Sequence, residues 1–201
     1  MNIARPSLQP LPASRMRRVD GWAMLERSIG YTYRPSTLEG IRSVLALARD
    51  TGHSVVPRGS GYSYGDTALN AENIILDLTR MNSVSHWDNQ SGLITVGPGV
   101  TVRDLWRFVI EDGWWPPVVP GAMYPTLGGC TAVNVHGKNN YRMGTLADHI
   151  TLLEFMTADG ELVRVAPDTD RELYRAVVGG LGMMGIVTSI QLQMKIGRAH
   201  V

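Results

Sequence analysis

The sequence predicts an α+β fold that is not a Rossmann fold, and three observations carry that prediction. Residues 36–52 show helical periodicity between start and stop signals. Several short apolar runs bounded by glycines or by an Asp-Gly pair read as strands. The string that matches a Rossmann fingerprint, with Gly180, Gly182 and Gly185, follows a helical pattern and precedes a strand-like run, the reverse of the order such a fingerprint needs. With 201 residues, 44% of them hydrophobic and 18% charged, the chain has enough apolar side chains for a core, and its 22 glycines and 11 prolines imply many turns.

The elements follow in order. Residues 1–20 are rich in proline and arginine and lack periodicity, which predicts an extended or loosely held arm; we set its limit at residue 29, with the domain over 30–195. Ser36 and Glu39 have capping-box spacing, and Leu38, Ile41, Val44, Leu45 and Ala48 share a helical face before Gly52. Residues 53–56 read as a strand entering a glycine-rich loop and 73–78 as a strand leaving it. Residues 93–96 are strand-like, and Thr101 with Asp104 caps a helix carrying Val102, Leu105 and Val109. Pro116, Pro117 and Pro120 make 114–121 irregular, because proline lacks the ladder donor and restricts its predecessor. Residues 152–157 and 161–165 flank the hairpin signal Asp159-Gly160, 170–178 read as a helix and 186–194 as a strand. Residues 196–201 match the translation of a common DNA-sequencing adapter and are expected not to belong to the fold.

Composition excludes several functions. Net charge is +1 with the basic residues scattered, so no nucleic-acid partner is expected. Cys130 is the lone cysteine, which rules out an intrachain disulfide and a cysteine-based zinc site; no metal is expected. The most apolar stretch, 177–190, is short and broken by glycines, so neither a secretion signal nor a membrane span is expected. The expected compartment is the cytoplasm, with room for peripheral attachment to a membrane.

Two segments carry chemistry. In residues 57–66, Gly59, Gly61 and Gly65 permit positive φ and close approach of the backbone to a ligand, so that consecutive N–H groups can cradle an anion. The hydroxyls of Ser60 and Ser63 add donors, an arrangement that suits a pyrophosphate without a buried compensating cation. The alternative is a strand-to-strand loop with no ligand. In residues 120–138, Thr126 is placed to cap a turn whose N–H groups, with Gly128 and Gly129, face a phosphate. His136 and Lys138 flank Gly137 and bring an imidazole and an ammonium beside the same ligand. Their structural alternatives are a hydrogen-bonded core histidine and a solvated lysine.

The Arg58-Gly59-x-Gly61 loop and the later segment resemble the vanillyl-alcohol-oxidase superfamily of FAD enzymes, over about residues 30–195. Within it, the run from Gly61 through Ser63, Tyr64 and Gly65 to Asp66, and the run His136, Gly137, Lys138, Asn139, are similar to the decaprenylphosphoryl-ribose 2′-oxidase group. The resemblance implies a two-subdomain FAD-binding domain. Pro57 and Arg58 open the loop; Arg58, Gly59, Ser60, Gly61, Tyr62, Ser63, Tyr64, Gly65, Asp66 and Thr67 are implied to wrap the FAD pyrophosphate. Gly121, Thr126, Leu127, Gly128 and Gly129 are implied to continue the clamp. Val133, Asn134, Val135 and His136 are implied to reach the flavin, and Ile186 and Val187 the adenine side. Tyr62 stands where many members attach flavin through a histidine, which implies non-covalent FAD.

No segment here corresponds to the family's substrate domain or its late lysine, so the resemblance implies a truncated enzyme. The whole protein is then expected to oxidise a secondary alcohol of a small-molecule sugar by hydride transfer to FAD, with His136, Tyr64 and Lys138 as polar or acid-base groups. A partner reductase is a further implication. An aldonolactone or hydroxy-acid oxidase, and a non-catalytic FAD-binding module, are the alternatives.

Overall fold

The structure, a computed structural model, describes residues 8–197. Its first unit contains β1 (Met16–Asp20), β2 (Arg27–Tyr33), α1 (Leu38–Thr51), β3 (Val55–Arg58) and β4 (Ile74–Asp77). The strands form a sheet in the order β1-β2-β4-β3, with β1 antiparallel to β2 and β4 parallel to both β2 and β3. Helix α1 buries Ile41, Val44, Leu45 and Ala48 in one core with Ile74 and Leu76 of β4. Its cap is Thr37, not Ser36: Thr37 has the extended backbone a cap requires, and its hydroxyl accepts from the Gly40 N–H at 3.1 Å. Gly52 ends the helix at φ 74°.

The arm is extended over β1, as expected, but it is not loose. All five residues of β1 pair with β2, from Met16 opposite Tyr31 to Asp20 opposite Arg27, so the sheet begins before residue 30. Strand β3 also runs further than expected, taking Pro57 and Arg58 into the ladder with β4.

The second unit contains β5 (Val84–Asp88), β6 (Leu93–Val96), α2 (Val102–Val109), β7 (Trp114–Trp115), α3 (Leu127–Ala132), α4 (Asn140–Met143), β8 (Ile150–Met156), β9 (Leu162–Val165), α5 (Arg171–Val177), β10 (Ile186–Gln193) and β11 (Lys195–Ile196). Five strands form an antiparallel sheet in the order β5-β6-β10-β8-β9. Its alternating inward residues, Ile94 and Val96 of β6 and Ile190 and Leu192 of β10, pack with α2, α3 and α5 into a second core. The Asp159-Gly160 hairpin forms, with Gly160 at φ 87°. The segment 114–121 is irregular except at its start, where Trp114 and Trp115 pair with Ile196 and Lys195. Of the adapter-like tail, Ile196 thus sits in a ladder, and 198–201 lie outside the described residues.

The two units are joined by specific contacts. Met156 and Ile186, at the ends of β8 and β10, are buried in the first core. From α1, Arg42 Nε donates to the Gly160 carbonyl at 3.0 Å and Arg49 Nη1 to the Ala158 carbonyl at 2.6 Å, so the helix is tied to the β8–β9 hairpin. The glycine string lies between α5 and β10, in the helix-turn-strand order that separates it from a Rossmann fingerprint.

Candidate cofactor site

The loop leaves β3 at Arg58, whose carbonyl accepts from the Leu78 N–H at 2.9 Å. Among the described residues, no backbone N–H from 59 to 66 donates to a protein acceptor. The loop is exposed or half-exposed, so these donors are open to solvent or to a ligand, and the run has the composition of an anion cradle. Under the loop lies the Arg58 side chain: Nη1 donates to the Ala68 carbonyl at 3.1 Å and Nη2 to the Asp20 carbonyl at 2.8 Å. Gly61 sits at φ 82°, and a Cβ there would overlap the guanidinium. Burial pulls the Arg58 pKa down, while the carboxylates of Asp77 and Asp20 oppose the shift. Arginine nonetheless stays cationic, so the cradle has a half-buried cation beneath it, contrary to the expectation of a site without one.

The second segment is pinned from both sides. The Val102 and Arg103 N–H groups at the start of α2 donate to the Pro125 and Met123 carbonyls at 3.1 and 2.8 Å. From the loop, Ser60 Oγ donates to the Tyr124 carbonyl at 2.7 Å. Gly59 lies so close to Thr126 that a Cβ would overlap Oγ1, which makes the two segments a single surface. Thr126 caps α3 as expected, accepting from Gly129 N–H at 3.4 Å.

The expectation that the α3 turn faces a phosphate with its N–H groups is corrected here. Leu127 N–H donates to the Val100 carbonyl at 2.7 Å and Gly128 N–H to the Pro98 carbonyl at 2.9 Å, and the Leu127 side chain belongs to the second core. The segment therefore contributes shape, with Gly128 packed on Pro98, more than donors.

A cleft of about 620 Å³, counting space open to solvent, runs between the segments. It brings together Pro57, Arg58, Gly59, Ser63, Thr67, Thr126, Gly128, Gly129, Val133 and Val187. Pro98 and Ala132 also line it and were not expected as site residues, and so do Leu181, Gly182 and Gly185 of the glycine string, a tight helix-to-strand connection for which the sequence leaves contact with the cofactor open. The glycine string held the signal for the last three, since it had the composition of a close backbone approach even though its order excluded a Rossmann role.

Other expected residues stand elsewhere. Tyr62 packs edge-on to Trp22 at 5.5 Å and stacks on Tyr124 at 6.0 Å, while Tyr64 is 80% exposed. Gly65, Asp66 and Gly121 are exposed and do not line the cleft. Ile186 is buried in the first core. Asn134, held at φ 46°, accepts from the Ala147 N–H at 2.9 Å, and Val135 packs against the second core, so both shape the segment. His136 and Lys138 are exposed, and the imidazole Nδ1 has one long contact, 3.4 Å to the Gly137 carbonyl.

The geometry can be set beside known proteins. The FAD binding domain family matches residues 30–166. The decaprenylphosphoryl-beta-D-ribose oxidase of Mycolicibacterium smegmatis is 33% identical over 180 residues, 89% of this chain and 39% of that protein. The L-gulonolactone oxidase of Bos taurus is 27% identical over 161 residues, 80% of this chain and 36% of that one. In fold, the chain is similar to the solved structure of Physcomitrella patens BBE-like 1, with a TM-score of 0.79 at 20% identity over 90% of this chain and 42% of that one. The chain thus spans under half the length of these relatives. It belongs to the FAD binding domain family, in the two-unit, non-Rossmann form that its glycine loop and His-Gly-Lys segment resemble, and FAD is its cofactor.

Proposed function

We propose that the cradle over residues 59–66 holds the FAD pyrophosphate without a covalent bond to the protein. We propose further that, in a chain of the relatives' length, this FAD oxidises a secondary alcohol of a sugar. The observation that carries the reading is the run of backbone N–H groups without protein acceptors, set over the Arg58 guanidinium and against Thr126. Phosphate oxygens complete those donors, and the cation below lowers the cost of holding two negative charges. Gly59 keeps the backbone of the loop on Thr126, and Pro98 and Gly128 close the opposite wall.

Bound FAD supplies a two-electron acceptor that amino acid side chains lack. The protein then has to hold the substrate hydroxyl and take its proton. His136, with a ring engaged by one long contact, is our candidate for that proton, with Tyr64 and Lys138 as further exposed polar groups to be covered by substrate or by further chain. Tyr62 in place of a flavin-linking histidine supports the non-covalent mode. The sugar-alcohol assignment is favoured by the ribose oxidase, which matches a larger share of this chain at higher identity than the lactone oxidase. The lactone oxidase keeps a lactone or hydroxy-acid substrate as the second reading, and the 39% coverage keeps a non-catalytic FAD module as the third. In the first reading a separate reductase would reduce the ketone product with its own reductant, completing an epimerisation.

The test is anaerobic mixing of the whole flavoprotein with sugar alcohols, aldonolactones and 2-hydroxy acids while the flavin absorption is followed. Bleaching by a sugar secondary alcohol supports the first reading. Bleaching by lactones alone moves the assignment to the second, and bound FAD that no candidate reduces moves it to the third. His136→Ala is expected to slow bleaching by about 100-fold or more with FAD content unchanged, the scale of a lost acid-base group.

A further inference from the structure

The turn between β1 and β2 carries Trp22, Met24 and Leu25, exposed by 44%, 66% and 84%. Three large apolar side chains within four residues of one tip make an exposed apolar cluster that contributes to neither core. Met24 deepens the point. It sits at φ 57°, a left-handed conformation that glycine or asparagine adopts with less strain, yet its side chain stays in solvent.

The tip is held firmly. Gly21 N–H donates to the Glu26 carbonyl at 2.9 Å and Met24 N–H to the Gly21 carbonyl at 3.0 Å. Behind it, Trp22 N–H donates to the Ser63 carbonyl at 3.2 Å and Arg58 Nη2 to the Asp20 carbonyl. Exposed arginines stand below it, Arg17 and Arg18 on β1, Arg27 at the start of β2 and Arg15 in the 3-10 turn that precedes β1, against Asp20 and Glu26. That is a surplus of two positive charges in a chain whose formal net charge is +1. Asp20 engages Arg18 at 3.5 Å and Arg27 at 3.6 Å, Arg17 rests on the Ser14 and Met16 carbonyls, and Arg15 lies over the Tyr33 ring.

We propose that this tip docks on an anionic lipid bilayer. The order of chemistry along the hairpin matches the depth order of a membrane surface. Leu25 and Met24 are the most exposed of the three and would enter the hydrocarbon; Trp22, half-exposed against Tyr62, would lie in the interface that indole rings prefer; Arg18 and Arg27, set back from the turn on β1 and β2, would meet the lipid phosphates. Because the turn's base is bonded to the cofactor loop at Ser63 and Arg58, docking would fix the orientation of the cleft towards the bilayer. The proposal rests on the tip and its charges, not on the substrate, and the two fail separately.

Sedimentation of the whole protein with vesicles tests it, comparing phosphatidylcholine alone with phosphatidylcholine containing phosphatidylglycerol. The protein is expected to pellet with the anionic vesicles, less so as salt is raised. M24S/L25S and R17Q/R18Q are each expected to weaken partitioning about tenfold, with FAD content and Tm unchanged. No partitioning into anionic vesicles, or partitioning that M24S/L25S leaves untouched, overturns it. So does a lowered Tm or altered oligomeric mass in M24S/L25S at unchanged vesicle binding, since that result assigns the tip to a protein contact.

Discussion

At the scale of single residues, Gly59 has the narrowest tolerance in the site. Its missing side chain lets the loop lie on Thr126, so Gly59→Ala is expected to raise the FAD dissociation constant about tenfold or more, in line with the ~1–3 kcal/mol cost of overpacking a close contact. Equilibrium titration with FAD, with circular dichroism to confirm the fold, measures it. Two buried acids set the response to alkali. Burial pushes the Tyr174 phenol, which donates to the Ala147 carbonyl at 2.6 Å, and the Cys130 thiol each up to about 12. Both folded values are raised, so this stability is fully present below the unfolded values, 10.0 for Tyr174 and 9.0 for Cys130, and is lost as pH climbs towards 12. Tyr174→Phe is expected to cost about 1 kcal/mol at pH 7 through the lost hydrogen bond and to make Tm fall less steeply between pH 10 and 12. Cys130 in the folded protein is expected to ignore thiol reagents at pH 8 and to react on unfolding; fast labelling of the native state would contradict its burial.

Individual elements differ in how far the sequence revealed them. Helix α2 was legible because its signals are local: Thr101 and Asp104 form both arms of a capping box, with Oγ1 accepting from the Asp104 N–H at 3.1 Å. Thr101→Ala is therefore expected to cost about 1 kcal/mol, a fall of about 2–4 °C in Tm by thermal denaturation. The α1 cap slipped by one residue because Ser36 and Thr37 have the same hydroxyl chemistry and only backbone geometry separates them. Strand β5 gave no periodic signal, since Val84, Ser85, His86, Trp87 and Asp88 form a half-exposed edge, and β1 hid among its arginines for the same reason. In the proposed site, the conformation of the glycine loop was legible because its small residues run together in sequence, with Gly61 and Gly65 at positive φ. The commitment of the Leu127 and Gly128 N–H groups was not, because their acceptors, Val100 and Pro98, lie more than twenty residues away in sequence. The buried position of Arg58 was hidden likewise, being fixed by carbonyls on β1 and at Ala68.

At the scale of the whole molecule, two units with separate cores meet where β3 enters the loop and β10 leaves the glycine string, and the cleft between them is the place we propose for the cofactor. Neither unit alone builds it: the donors come from the first and the opposing wall from the second. Among the described residues no helix is long and apolar enough to cross a membrane. The central claim, that this cleft holds FAD with no covalent link, has a direct measurement. The purified protein, supplied with FAD and then precipitated with acid, should release one equivalent of flavin per chain into the supernatant. Flavin that stays in the pellet, or a protein that neither contains nor takes up FAD, would contradict it.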